Sequence, residues 1–155
     1  MTKNQKSYYI DNQLDNISLH DCPIHGIFYN EHHNQFLLDI DFITKWVFND
    51  GIYNFIISRS TLVFSHVLDV SINLDFRHVG KILAPEIDQL KHVKEVNQHN
   101  IEFSKFIIES HHGTIEIYAD KVELFLRTGP TLLKEDSILK FRKQPSFELI
   151  RYDRR

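Results

Sequence analysis

One cysteine, five glycines, four prolines and two alanines in 155 residues close off several classes of protein before any motif is read. Cys22 by itself can form neither an internal disulfide framework nor a cysteine-rich zinc site, and it suits a reducing compartment. The glycines, at 26, 51, 80, 113 and 129, assemble neither standard phosphate-binding loop, which disfavours ATP, GTP and NAD sites of those kinds. The N-terminus lacks the apolar run of a secretory signal, and no apolar stretch is long enough to span a bilayer. The expectation is a cytoplasmic protein with no membrane contact. A basic surplus is missing too. Residues 1–133 hold 17 acidic and 11 basic side chains, which argues against a nucleic-acid groove. Residues 134–155 reverse the balance with 7 basic and 4 acidic, but apolar residues interrupt the charges, as in a solvated end.

Strand formers are abundant instead: 27 Ile and Val, and 19 Phe, Tyr and Trp. The polar residues 1–16 read as a loose N-terminal segment in which Tyr8, Tyr9 and Ile10 can clip onto a sheet. Residues 17–150 form a single β-rich domain, and 151–155 a basic C-terminal end. His25, Ile27 and Tyr29 alternate before the polar break Glu31-His32-His33-Asn34, and Asp50-Gly51 marks a tight turn. Ile52–Ser58 and Thr61–Val67 read as two buried strands, and Val70–Phe76 as a half-buried one. Ile87, Leu90, Val93 and Val96 recur every third residue after Pro85, so one short helix is expected near 85–97. Strands resume at 102–109, 115–119 and 122–127, with two short terminal strands around 138–141 and 147–150. The fold class is mainly β: an antiparallel curved sheet forming a sandwich or a partly open barrel.

The stretch that organises this pattern is Gln35–Ile43, closed by Trp46. Phe36, Leu38, Ile40 and Phe42 share one face of a strand; Leu37, Asp39, Asp41 and Ile43 share the other. The two carboxylates lie roughly 7 Å apart along such a strand. They suit acid–base chemistry if desolvated, and a partner-binding surface with Trp46 if exposed. Just upstream, Leu19-His20-Asp21-Cys22-Pro23-Ile24-His25 gathers two imidazoles, a carboxylate and a thiol. If 24–30 pairs with 35–43, His25 approaches Asp41, and His20, His25, Asp39 and Asp41 become a candidate ligand set for zinc, manganese or iron(II). Its spacing matches no standard metal motif, and His20 and Asp21 can equally fix a turn through backbone hydrogen bonds. Cys22 has no identifiable base or oxyanion site and is not read as a nucleophile.

Leu19-His20-Asp21 before a short strand, then Leu38–Ile43 with Trp46, then Thr61-Leu62-Val63-Phe64, resembles a group of small uncharacterised bacterial β-rich proteins. Some similar chains are regarded as immunity proteins of toxin systems. The resemblance covers residues 17–76 and implies a compact antiparallel β domain with a binding role; it transfers no catalytic residue. Two functions follow as expectations. The first is a non-enzymatic protein-binding module without a cofactor, an immunity protein in its most specific form, which meets an unknown protein partner such as a toxin through Asp39, Asp41 and Trp46. The second is a small metal-dependent hydrolytic enzyme or metal-binding protein built on His20, His25, Asp39 and Asp41.

Overall fold

The computed structural model describes residues 8–9, 17–77, 84–134 and 145–149. Its described residues hold eleven strands and no helix. In chain order these are β1 (Tyr8–Tyr9), β2 (Cys22–Asn30), β3 (Gln35–Asn49), β4 (Ile52–Ser65), β5 (Asp69–Leu74), β6 (Glu86–Ile87), β7 (Gln89–Val96), β8 (Glu102–Ser110), β9 (Gly113–Ala119), β10 (Lys121–Leu126) and β11 (Thr131–Lys134). A seven-stranded sheet runs β1-β10-β4-β3-β2-β6, with β11 pairing the stretch of β4 beyond β10. A four-stranded sheet runs β5-β9-β8-β7. Every pairing is antiparallel. The two sheets face each other as a sandwich and do not close into a barrel.

The alternation in the sequence explains the core. Phe36, Leu38 and Ile40 of β3 lie beside Leu62 and Phe64 of β4 and Val122 and Leu124 of β10, all buried. Against them the smaller sheet presents Phe106, Ile108, Ile115, Ile117 and Ala119. The rings of Phe64 and Phe106 meet edge-on across the layers at 5.2 Å. The chain crosses between sheets at tight corners, with only Asp88 between β6 and β7 and only Asp120 between β9 and β10.

The turns follow local chemistry. Asp50 (φ 51°) and Gly51 (φ 78°) form the two-residue connection between Asn49 and Ile52, the left-handed pair of a type I′ hairpin. Gly113 follows the His111-His112 turn at φ 132°, and a Cβ there would fall 2.0 Å from the Asn73 carbonyl oxygen. Only glycine lets β5 and β9 pair at that end.

Three sequence expectations change. The helix expected near 85–97 is strand: β6 and β7 carry the segment, and Leu90 and His92 turn inward while Lys91 and Val93 stay exposed. The three-residue spacing is overridden by pairing along the whole of β8. The two expected strands around Arg59-Ser60 are one fourteen-residue strand, because Arg59 and Ser60 pair with Asp41 and Ile40 without interruption. Of the expected terminal strands, 138–141 lies outside the described residues, and 145–149 belongs to no strand; β11, which pattern reading missed, takes the free length of β4 instead. Tyr8 and Tyr9 do clip onto the sheet, opposite Leu124 and Glu123.

Phe64→Ala should cost roughly 3–5 kcal/mol, because the vacated space lies between two layers that cannot both collapse into it. Urea unfolding monitored by circular dichroism measures this as a lower midpoint at unchanged slope.

Candidate functional site

The outer face of the larger sheet is where the charges of β3 lead. Residues directly opposite in an antiparallel pair share a face, so Asp39 stands with Thr61 and Asp41 with Arg59. Neither carboxylate meets water: both residues are 0% exposed. Arg127, just past β10, donates from Nη2 to Asp39 Oδ1 and to the Ser60 carbonyl (3.3 Å), with only 6% of its side chain exposed. The Ser146 N–H donates to the other Asp39 oxygen at 2.9 Å, and Thr61 Oγ1 donates to the Glu148 carbonyl at 2.8 Å. Residues 145–149 thus lie across this face as a strap. Phe147 meets the Phe28 ring at 5.4 Å and fills the space over Gly26, where a Cβ would come within 2.8 Å of both Phe147 and Pro145.

His25 reaches this face through a β-bulge. Ile24 pairs with Ile40 and Gly26 with Asp39, leaving His25 as the extra residue of β2. Its Nε2 lies 2.8 Å from Asp41 Oδ2, with 10% and 1% of the two side chains exposed. The sequence reading that brought His25 to Asp41 matches this geometry. Two carboxylates are therefore buried, Asp41 against an imidazole and Asp39 against a guanidinium, the condition under which charge is tolerated inside a protein.

The rest of the expected ligand set does not assemble. His20 is largely exposed and hydrogen-bonds the Asp88 carbonyl (3.0 Å) through Nδ1, with Asp21 at 3.4 Å from Nε2. Asp39 is turned to Arg127 and Ser146. Among the described residues, no three His, Cys, Asp or Glu side chains are placed to hold a metal ion. His20, His25, Asp39 and Asp41 therefore do not come together as one group: a bulge turns His25 onto Asp41, and the turn at 20–21 keeps His20 at the surface.

Of Asp39, Asp41 and Trp46 only Trp46 is exposed: Arg127 and the strap close off Asp39, and Asp41 is buried against His25. Trp46 owes its position to a second bulge. Ile43 pairs with Ile57 and Lys45 with Ile56, so Thr44 is extra, and its hydroxyl donates to the Ile56 carbonyl at 2.9 Å. Beyond it, β3 and β4 continue as a ribbon to the Asp50-Gly51 tip. Trp46 stands opposite Phe55, and Phe48 opposite Tyr53. Ring centroids lie 4.4 Å apart for Trp46–Phe55, 6.1 Å for Trp46–Tyr53 and 4.7 Å for Phe48–Tyr53. Phe55 anchors the ladder in the core, while Trp46, Phe48, Ile52 and Tyr53 are 43–63% exposed. Pattern reading singled out Trp46 for an exposed surface. The Asp-Gly turn was the available signal, since residues nearest a hairpin tip have fewest neighbours.

Cys22 is fully buried, and the Ile43 N–H points at its sulfur at 3.5 Å. Burial pushes its thiol up from 9.0 to about 12, with the nearby Asp41 charge adding to the effect. Glu86 is also raised, first by desolvation and then by Asp21.

The fold defines an antiparallel two-sheet sandwich that carries a buried charge network and an aromatic hairpin tip. No protein-family model and no curated protein matches the chain.

Two outcomes follow. Arg127→Met should destabilise the protein by roughly 3–5 kcal/mol, since it strands the Asp39 carboxylate; Asp39→Asn combined with Arg127→Met should recover part of that loss in a double-mutant cycle of chemical denaturation. Cys22 should resist thiol reagents in the native state at pH 8 and react on unfolding. Because its folded pKa lies above the unfolded value, its contribution is complete below pH 9 and is lost as pH rises towards about 12, which a pH series of thermal melts will register.

Proposed function

We propose that the protein is a non-enzymatic binding module that engages a protein partner through the tip of the β3–β4 hairpin. The observation that carries this reading is the exposed ladder of Trp46, Phe48 and Tyr53, flanked by Ile52 and rooted on buried Phe55. Large rings with few rotatable bonds lose little entropy on docking, and aromatic residues dominate binding hot spots. The ribbon is preorganised by its bulge, its type I′ turn and its own ring contacts. The charged groups of β3 favour this reading over a catalytic one, because the partners of Asp39 and Asp41 are protein groups that hold them away from solvent.

In its most specific form the module is an immunity protein and the partner a bacterial toxin. That form rests on the resemblance across residues 17–76. The acidic balance of residues 1–133 suits a cationic partner, whose encounter it would accelerate at low salt.

The test is to co-express the protein with each product of its neighbouring genes that halts growth on its own, with restored growth as the readout and calorimetry on the purified pair. Trp46→Ala with Phe48→Ala and Tyr53→Ala should leave the melting curve near that of the wild type and weaken binding by at least about 30-fold, as expected for loss of about 2 kcal/mol at a hot spot. Unchanged affinity in the triple variant would remove the hairpin tip from the interface.

A further inference from the structure

We propose that the outer edge of β7 is a homodimer interface, at which two copies of the chain pair antiparallel about Val93 and join their four-stranded sheets into one. Among the described residues no strand pairs with this edge, although β7 is eight residues long and free of proline. The other terminal strands of the two sheets are shorter: two residues each for β1 and β6, four for β11 and six for β5.

The Asn97 N–H donates to the Ile101 carbonyl at 3.0 Å, in the register that pairs Gln89 with Glu109 and Val96 with Glu102. Antiparallel partners alternate between bonded and non-bonded pairs, so the odd-numbered residues Lys91, Val93 and Glu95 exchange their bonds with β8. The N–H and C=O groups of Leu90, His92, Lys94 and Val96 therefore aim at the open edge. Side chains alternate independently. Leu90 packs towards the core and His92 stacks on Phe106 at 5.6 Å, so Lys91, Val93 and Glu95 line the outer face.

A two-fold axis through Val93 places Lys91 of each copy opposite Glu95 of the other on that outer face. It sets exposed Val93 against its own copy and exposed Val96 beside Leu90. Leu90 then pairs with Val96 and His92 with Lys94 through the outward main-chain groups, which are the ones free to bond. Moving the axis to residue 92 puts Lys91 opposite Val93. Moving it to residue 94 puts Lys91 opposite Asn97 and Lys94 against itself. Only the Val93 register pairs opposite charges twice. Edge lysines ordinarily deter strand addition, and here Lys91 meets an acid of the second copy while keeping Glu109 of its own at 2.7 Å.

Sedimentation equilibrium on the full chain tests this. The wild type should show a concentration-dependent dimer. Glu95→Lys and Lys91→Glu, each alone, put like charges opposite one another twice and should raise the dissociation constant about tenfold or more. An equimolar mixture of the two variants should dimerise again, because each copy now supplies the sign the other lacks. Circular dichroism melts of both variants confirm that the fold is retained. A wild type that stays monomeric, or variants that dimerise singly as well as in mixture, would overturn the proposal. Failure here leaves the hairpin tip untouched, since that site is read by partner affinity.

Discussion

The neutralisation of Asp39 by Arg127 is the interaction on which the larger sheet depends. A carboxylate at 0% exposure in the middle of a seven-stranded sheet is tolerable only with its opposite charge and hydrogen bonds in place. Arg127 supplies the charge and also bonds the Ser60 carbonyl, tying the end of β10 to β4. Ser146 supplies a main-chain donor, which seats the strap, and the strap covers Gly26 and Phe28. The second carboxylate, Asp41, is matched by His25 and stands across from Arg59. Removing one member therefore exposes or strands several others, unlike the loss of a surface ion pair such as Arg77–Asp75.

Two single-residue bulges set the course of β2 and β3 around this network. The extra His25 in β2 turns an imidazole onto Asp41, and the extra Thr44 in β3 re-phases the strand beyond it. Before Thr44, β3 is a buried strand with protein on both faces. After it, the same strand is one half of a ribbon that carries Trp46 and Phe48 outward. β3 thus joins a charge-locked platform to an exposed aromatic tip, the combination on which the proposed binding role rests.

Much of the fold was legible locally. Period-two alternation located β3, β5, β8, β9 and β10, and Asp50-Gly51 marked its hairpin, because both signals reside in adjacent residues. Proximity of His25 to Asp41 was readable from the hairpin at 31–34, which pairs Asn30 with Gln35. The spacing of Ile87, Leu90, Val93 and Val96 misled for a physical reason: a helical period in a short segment weighs less than a full ladder of hydrogen bonds to β8.

What the chain determined by itself is most of its strands, the Asp50-Gly51 turn and the parity that places Asp39 and Asp41 on one face. Whether that face is wet was decided by tertiary structure alone. Arg127 lies 88 positions from Asp39 and Ser146 lies 107 positions away. Alternation along a strand records which side a residue points to, whereas what covers that side comes from elsewhere in the chain. For Asp39 it came from Arg127 and Ser146, far along the chain, and it turned a candidate surface into a buried lock.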